Sequence, residues 1–127
     1  MRFIALIAVL IVSLSASFTA VAKPLADMTA EQVLAAEEGS LLVLDVRSDH
    51  EYDRGHVPGA LHIPQQQLAN RLAELGEWRN KSIVVYCESG YRASLAASLL
   101  EEEGFNNVYH LVGHMREWRD SGRAIAF

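Results

Sequence analysis

Two short, almost uninterrupted apolar runs, residues 41–46 and 82–86, most constrain the fold of this 127-residue chain. Such runs are expected of strands that are buried on both faces of a sheet. Shorter strand signals occur at residues 60–63 and 107–112, and segments of helical character lie between and after them. Strands that alternate with helices predict an α/β fold, in which helices flank both faces of a largely parallel central sheet.

The helical segments carry start signals and apolar stripes. Thr29 and Ser48 are each followed three residues later by Gln or Glu, which is the pattern of a capping box. Further helices are predicted over residues 65–75, 93–103 and 114–120. The leucines that face the core from the first two of these are predicted to be Leu68, Leu72, Leu75, Leu95, Leu99 and Leu100.

The first 22 residues have the organisation of a secretory signal peptide. Arg2 supplies a positive charge, residues 3–12 are all apolar, and a run of small residues ends at Ala22. This pattern predicts export, to a bacterial periplasm or into the medium, and a domain over residues 23–127 with no stable membrane insertion after cleavage. The apolar stretch is shorter than the roughly 20 residues of a membrane span. An uncleaved N-terminal anchor is the alternative.

Length and charge narrow the classes of function. A domain of this size has room for one hydrophobic core and not for a second domain. The formal net charge is −5, and the acidic residues are scattered apart from those at 101–103. Because the sequence contains no basic cluster, we do not expect it to bind nucleic acid or an anionic membrane surface.

Cys87 is the only cysteine of the chain, and it stands where the apolar run 82–86 meets the next helix. Backbone N–H groups and the positive end of a helix favour an anion there, and such surroundings lower the pKa of a thiol. Exported proteins usually pair their cysteines. A single one is therefore a buried inert thiol, half of an intermolecular disulfide or a reactive thiol, and the loop context favours the reactive nucleophile.

Two motifs resemble signatures of the rhodanese family. Residues 45–64, DVRSDHEYDRGHVPGALHIP, are similar to its N-terminal signature, and residues 87–92, CESGYR, are similar to its active-site loop. With the order of elements, the resemblance extends over essentially all of residues 23–127 and matches the single-domain, exported members. It implies a rhodanese-like fold and the transfer of a sulfane sulfur, often from thiosulfate, through a persulfide on Cys87.

The loop after Cys87 has a composition suited to this chemistry. If its amides point inward, they form a nest for an anion around the sulfur, and Gly90 permits the necessary curl. Arg92 can hold the oxyanion of a small sulfur donor. The acceptor is then cyanide or a thiol, with a protein thiol as a further candidate, and no metal or organic cofactor is required. The predicted substrate-binding residues are Glu88, Ser89, Gly90, Tyr91 and Arg92.

Four side chains around this loop admit two interpretations each. Glu88 would oppose a thiolate, so we expect it to turn to solvent, with a role in acceptor choice as the alternative. Tyr91 either lines the mouth of the pocket or packs on the sheet. Asp45 and Arg47 are interpreted as an ion pair that supports the end of a strand, and direct contact between Arg47 and substrate is the alternative.

Two other functions compete with sulfur transfer. Cysteine phosphatases and related arsenate-reducing enzymes place five residues between cysteine and arginine, whereas four residues separate Cys87 from Arg92. The shorter loop disfavours a tetrahedral phosphate. A noncatalytic domain that carries sulfur or docks a partner would use the same fold. Acceptance of sulfur by Cys87 from a small donor distinguishes an enzyme from a binding domain.

The histidines predict no metal site, because they fall on different predicted elements and do not cluster. One of them marks a departure from the rhodanese pattern, in which the last strand commonly runs into paired glycines. Here Gly113 is followed by His114. If that position requires a positive φ, histidine adds backbone strain to the turn.

Overall fold

One parallel sheet organises the molecule. The computed structural model describes residues 12, 13, 15–17 and 25–127. In this part of the chain the strands are β1 (Ala26–Met28), β2 (Leu41–Asp45), β3 (Leu61–His62), β4 (Ser82–Tyr86) and β5 (Asn107–Leu111). They form a five-stranded sheet in the order β1-β5-β4-β2-β3, and every neighbouring pair is parallel.

The helices of the described residues are α1 (Ala30–Ala35), α2 (Asp49–Asp53), α3 (Tyr91–Glu102) and α4 (His114–Asp120). Both predicted capping boxes are present. Thr29 and Gln32 exchange hydrogen bonds at the start of α1, and Ser48 and Glu51 do so at the start of α2. Each box supplies partners for amides that the first helical turn leaves unpaired.

Apolar side chains are buried on both faces of the sheet. On one face, residues of α3 and of the segment between β3 and β4 pack against Leu44, Ile83 and Val85. On the other face, α1 and α4 pack against Val84 and Tyr86. The predicted α/β fold, with helices on both sides of a parallel sheet, is confirmed.

The inner face of α3 differs from the predicted one. Leu95 is 43% exposed, so its assignment to the core is wrong, and Leu99 is only partly buried. Small side chains at helical spacing face the sheet instead, which brings the helix close to the strands. The buried residues of α3 are Ala93, Ala96, Ala97 and Leu100.

The single helix predicted over residues 65–75 is also wrong. Two 3₁₀ helices, Gln65–Asn70 and Leu72–Trp78, replace it, and Arg71 between them has φ −122° and ψ 16°. A 3₁₀ helix rises about 2.0 Å per residue against about 1.5 Å for an α-helix, so this connection reaches further along the sheet. Leu68 and Leu75 are still fully buried, and the leucine pattern therefore identified the core residues but not the helix type.

Two further features concern the edge of the sheet and the predicted N-terminal leader. The edge strand β1 was not predicted, because three residues give too short a pattern to distinguish from a loop. The predicted leader, residues 1–22, lies largely outside the described residues and stays a prediction. Among the residues that the structure describes, no helix is long and apolar enough to cross a membrane.

The contrast between Leu100 and Leu95 on α3 can be tested by truncating each side chain. Leu100 is fully buried, so Leu100→Ala is expected to lower the free energy of unfolding by about 2–5 kcal/mol. Leu95→Ala leaves a largely exposed position and should cost less than about 1 kcal/mol. Urea unfolding of both variants measures the difference. Equal losses in the free energy of unfolding would show that Leu95 is buried in the core like Leu100.

Candidate active site

The strand register brings the two predicted site segments to one edge of the sheet. Asp45, the last residue of β2, is paired with Tyr86, the last residue of β4. Cys87 follows directly and is only 1% exposed, and α3 begins four residues later. The site therefore lies at the carboxyl ends of the strands, where parallel α/β sheets place their ligands.

The loop between β4 and α3 curls around the Cys87 sulfur. The Gly90 amide donates a hydrogen bond to Sγ at 3.0 Å, and the amides of Ser89 and Ala93 also act on the sulfur. Gly90 has a φ of 125°, and a side chain there would begin 3.1 Å from Nε2 of His114. The backbone angle thus favours glycine, and a larger residue would also press against His114.

The surroundings of Cys87 favour its thiolate. Burial raises the pKa of the thiol, but the His114 side chain and the amides of Ala93, Gly90 and Ser89 outweigh it and lower the pKa to about 7. A free cysteine has a pKa near 8.5, so a much larger fraction is ionised here at neutral pH. The predicted anion nest therefore has donors in place for a negatively charged sulfur.

His114 contacts Cys87 in a way that the sequence analysis did not anticipate. Its backbone φ is 52°, so the position does have the positive φ considered above. The amide of Cys87 donates to Nδ1 of His114 at 3.2 Å, and the carbonyl of Cys87 accepts from the Met115 amide at 3.0 Å. The departure from the paired-glycine pattern was the available signal, because a non-glycine residue held at positive φ often marks a functional site.

Asp45 and Arg47 form a buried ion pair beneath the loop. Arg47 Nη2 lies 2.7 Å from Asp45 Oδ2, and the same nitrogen donates to the Gly55 carbonyl at 2.8 Å. The Tyr86 hydroxyl donates to Asp45 Oδ2 at 2.6 Å and accepts from the Val57 amide at 3.1 Å. These contacts tie the ends of β2 and β4 to the turn that contains Gly55 and Val57. The predicted supporting role of the pair, and the alternative of contact between Arg47 and substrate, stay predictions.

Arg92 is held by a second carboxylate. Its two terminal nitrogens donate to Glu51 at 2.6 and 2.9 Å. The hydrogen bonds from Arg92 lower the pKa of Glu51 to about 2, with Ser48 contributing against the opposing effect of burial. The use of Arg92 to hold a donor's oxyanion stays a prediction, and an incoming anion has to compete with Glu51 for the guanidinium group.

Glu88 is neither free in solvent nor buried. Both nitrogens of the Arg119 guanidinium fork bind its carboxylate, at 2.9 and 3.0 Å, and Arg47 Nη1 lies 3.9 Å away. Its pKa is lowered mainly by the hydrogen bonds from Arg119. Glu88 is partly exposed, and Arg119 neutralises the charge that would have opposed the thiolate. Its role in acceptor choice stays a prediction.

Tyr91 and Ser89 lie at the surface. The Tyr91 side chain is 76% exposed, which excludes packing on the sheet and leaves a place at the rim of the loop.

A charged cavity of about 540 Å³ lies beside the loop. Cys87 is not among the residues that line it, which are Arg47, Glu51, Arg54, Gly55, Glu88 and Arg119. Among the described residues, no group of three or more potential ligands is placed to hold a metal ion.

The comparison with protein families agrees with this geometry. The model of the rhodanese-like domain matches residues 29–121, which include β2, the cysteine loop and α4. The chain belongs to the rhodanese-like domain family. The resemblance inferred from the two sequence motifs is thereby confirmed at the level of family and fold.

Two curated relatives and one solved structure illustrate the range of this family. The chain is 42% identical over 79 residues to the "Putative sulfur carrier protein YrkF" of Bacillus subtilis, covering 62% of this chain and 42% of that one. It is 35% identical over 102 residues to the tRNA uridine(34) hydroxylase of Pectobacterium carotovorum, covering 76% and 29%. It thus spans less than half the length of these relatives.

The crystal structure of thiosulfate sulfurtransferase from Pseudomonas aeruginosa superimposes with a TM-score of 0.73 and 27% identity. The shared region covers 80% of this chain and 20% of the other. Rhodanese-like domains therefore occur in longer proteins that carry different names. Membership of the family does not by itself identify the reaction of this chain, which has to be inferred from its own site.

The Glu51–Arg92 pair makes a prediction for the dependence of stability on pH. Because the folded pKa of Glu51 is about 2 against an ordinary value of 4.5, the ionised carboxylate stabilises the fold above about pH 4.5 and loses this contribution as the pH falls towards 2. The Glu51→Gln variant should therefore lose less free energy of unfolding than the wild type between those pH values.

Urea unfolding at several pH values measures this effect. Glu74→Gln is the matched control, because Glu74 also has its pKa lowered by an arginine, Arg71, but lies at the exposed surface. Solvent screening should leave that variant with the wild-type profile. A wild-type profile in Glu51→Gln as well would show that the Arg92 contact does not stabilise the fold.

Proposed function

We propose that this rhodanese-like domain is a sulfurtransferase that moves a sulfane sulfur through a persulfide on Cys87. The Cys87 thiolate attacks the outer sulfur of thiosulfate or a related donor, a new S–S bond forms, and the S–S bond of thiosulfate breaks. Sulfite leaves with the electron pair. Cyanide or a thiol then attacks the outer sulfur of the persulfide, leaves as thiocyanate or as a new persulfide, and regenerates the Cys87 thiolate.

The ring of hydrogen-bond donors around the Cys87 sulfur is the observation that carries this proposal. The Gly90 amide lies 3.0 Å from Sγ, and the thiol has a pKa of about 7. Preorganised amides of this kind stabilise negative charge on the thiolate and on the persulfide without reorganisation during the reaction. The reaction requires no metal or organic cofactor at this site.

The charged groups at the rim bear on the choice of donor and acceptor. Glu51 already occupies the Arg92 guanidinium group, and Glu88 is paired with Arg119. A small dianion such as thiosulfate would therefore rely first on the loop amides for binding. An acceptor thiol, on a small molecule or on a protein, would approach past the exposed Tyr91 and the Glu88–Arg119 pair.

A sulfur-carrier or protein-binding role is the second candidate. One relative is named as a sulfur carrier, and another relative with a domain similar to this chain is named as a tRNA hydroxylase. The near-complete burial of Cys87 also suits a sulfur atom that is protected until a partner opens the loop. Such a domain would accept sulfur at Cys87 but release it only to its partner.

Intact-mass measurement of the purified, reduced protein before and after thiosulfate separates the two roles. Sulfur transfer predicts a gain of one sulfur atom, reversal by cyanide with thiocyanate formed, and no gain in Cys87→Ser. A stable adduct that cyanide does not remove would favour the carrier role. No adduct on a folded, reduced protein with thiosulfate or with a polysulfide donor would contradict sulfur transfer.

We also propose that the domain acts outside the cytoplasm. The pattern of residues 1–22 supports a cleaved secretory signal peptide. Expression of the full chain should then give an exported protein that begins at Lys23, which the same mass measurement detects. An uncleaved product in the membrane fraction would favour the anchor instead.

A further inference from the structure

We propose that His114 is a working part of the Cys87 site, where its imidazole fixes the Cys87 backbone and presents an N–H donor to the sulfur. The proposal depends on the proposed function in one respect, because both take the sulfur anion of Cys87 as the reacting group. The turn between β5 and α4 would then be a third segment that surrounds the Cys87 sulfur, beside the cysteine loop and the first turn of α3.

The hydrogen bond between Cys87 and His114 determines the tautomer of the imidazole. A backbone amide is only a donor, so Nδ1 of His114 must accept the Cys87 N–H at 3.2 Å. The proton of the neutral ring then resides on Nε2. Nε2 lies 3.1 Å from the position at which a Gly90 side chain would begin. The N–H that remains is therefore beside Gly90, the residue whose amide donates to Sγ at 3.0 Å.

The backbone around His114 supports a functional reason for this residue. Among the described residues, His114 is the only non-glycine residue with a positive φ, at 52°. Glycine would adopt this conformation without strain, so the backbone angle by itself gives no reason for a histidine at this position. Two backbone hydrogen bonds hold the turn in place, from Met115 to the Cys87 carbonyl and from Arg116 to the Glu88 carbonyl.

The proposed role is donation and not proton transfer. When Cys87 ionises, its proton goes to solvent, and the Nε2–H of His114 stays in place as a donor to the thiolate. The same donor would serve the negative charge of the persulfide after sulfite leaves. A hydrogen bond to the charged form favours that form over the neutral thiol.

Other charged and titratable groups also face this part of the site. The His110 ring of β5 lies edge-on to that of His114 with 6.0 Å between centroids. Arg92 of α3 interacts electrostatically with Cys87, and the Glu88–Arg119 pair lies at the rim. His110 is therefore the natural control, because it is the nearest other imidazole and forms its contact with His114 rather than with Cys87.

The test follows the rate of Cys87 alkylation by iodoacetamide against pH. In His114→Gly, the midpoint should rise by about one pH unit, which lowers the thiolate fraction at pH 7 about fivefold. The variant relieves the strained φ, so a lost fold is not the expected cause, and urea unfolding checks this. Free imidazole should move the midpoint of His114→Gly back towards the wild-type value and leave the wild type unchanged. His110→Gln should keep the wild-type midpoint.

An unchanged midpoint in folded His114→Gly, or an equal shift in His110→Gln, would overturn the proposal. If His114→Gly fails to fold, His114→Asn takes its place, since asparagine tolerates positive φ but its shorter side chain lacks the imidazole. Alkylation needs no sulfur donor, so the result is independent of sulfur transfer. A shifted midpoint without a thiosulfate adduct in the wild type would contradict the proposed reaction alone, and an adduct with an unshifted midpoint would contradict the role of His114 alone.

Discussion

The buried carboxylate of Asp45 is the contact on which the site depends. It accepts hydrogen bonds from the side chains of Arg47 and Tyr86, and through them it is connected to Gly55 and Val57. Asp45 and Tyr86 end adjacent parallel strands, so this network connects the ends of β2 and β4 to the turn that contains Gly55 and Val57. Removing either partner of a buried ion pair leaves an uncompensated charge, which proteins tolerate poorly.

Two arginines beside the cysteine loop are also paired with carboxylates. Arg92 is bound by Glu51 and Arg119 by Glu88, so neither guanidinium group is free to bind an anion without competition. The amides of Ser89, Gly90 and Ala93 and the side chain of His114 lower the pKa of Cys87. Negative charge on sulfur is therefore favoured by oriented dipoles that are already in place before the reaction.

Much of the fold could be predicted from the sequence because its signals are local. Buried parallel strands need apolar runs, and helix starts need capping residues, so β2, β4 and the starts of α1 and α2 could be identified in advance. The errors have local causes too. Alanine contributes little to an apolar stripe, so the close-packed face of α3 was assigned to Leu95. The 3₁₀ geometry after β3 depends on how far that connection must reach, which no leucine pattern records.

Local patterns in the sequence were enough to predict the order of the elements, the position of Cys87 between a strand and a helix, and the loop glycine beside it. The groups that act on the sulfur, and the partners of the charged side chains, depend on tertiary packing. The amide of Cys87 meets the His114 ring across 27 residues, and Arg92 meets Glu51 across 41. These contacts form because the turn before α4 and the helix α2 pack against the cysteine loop. Helix propensity and hydrophobic periodicity describe only residues that are close along the chain, so they do not predict such contacts.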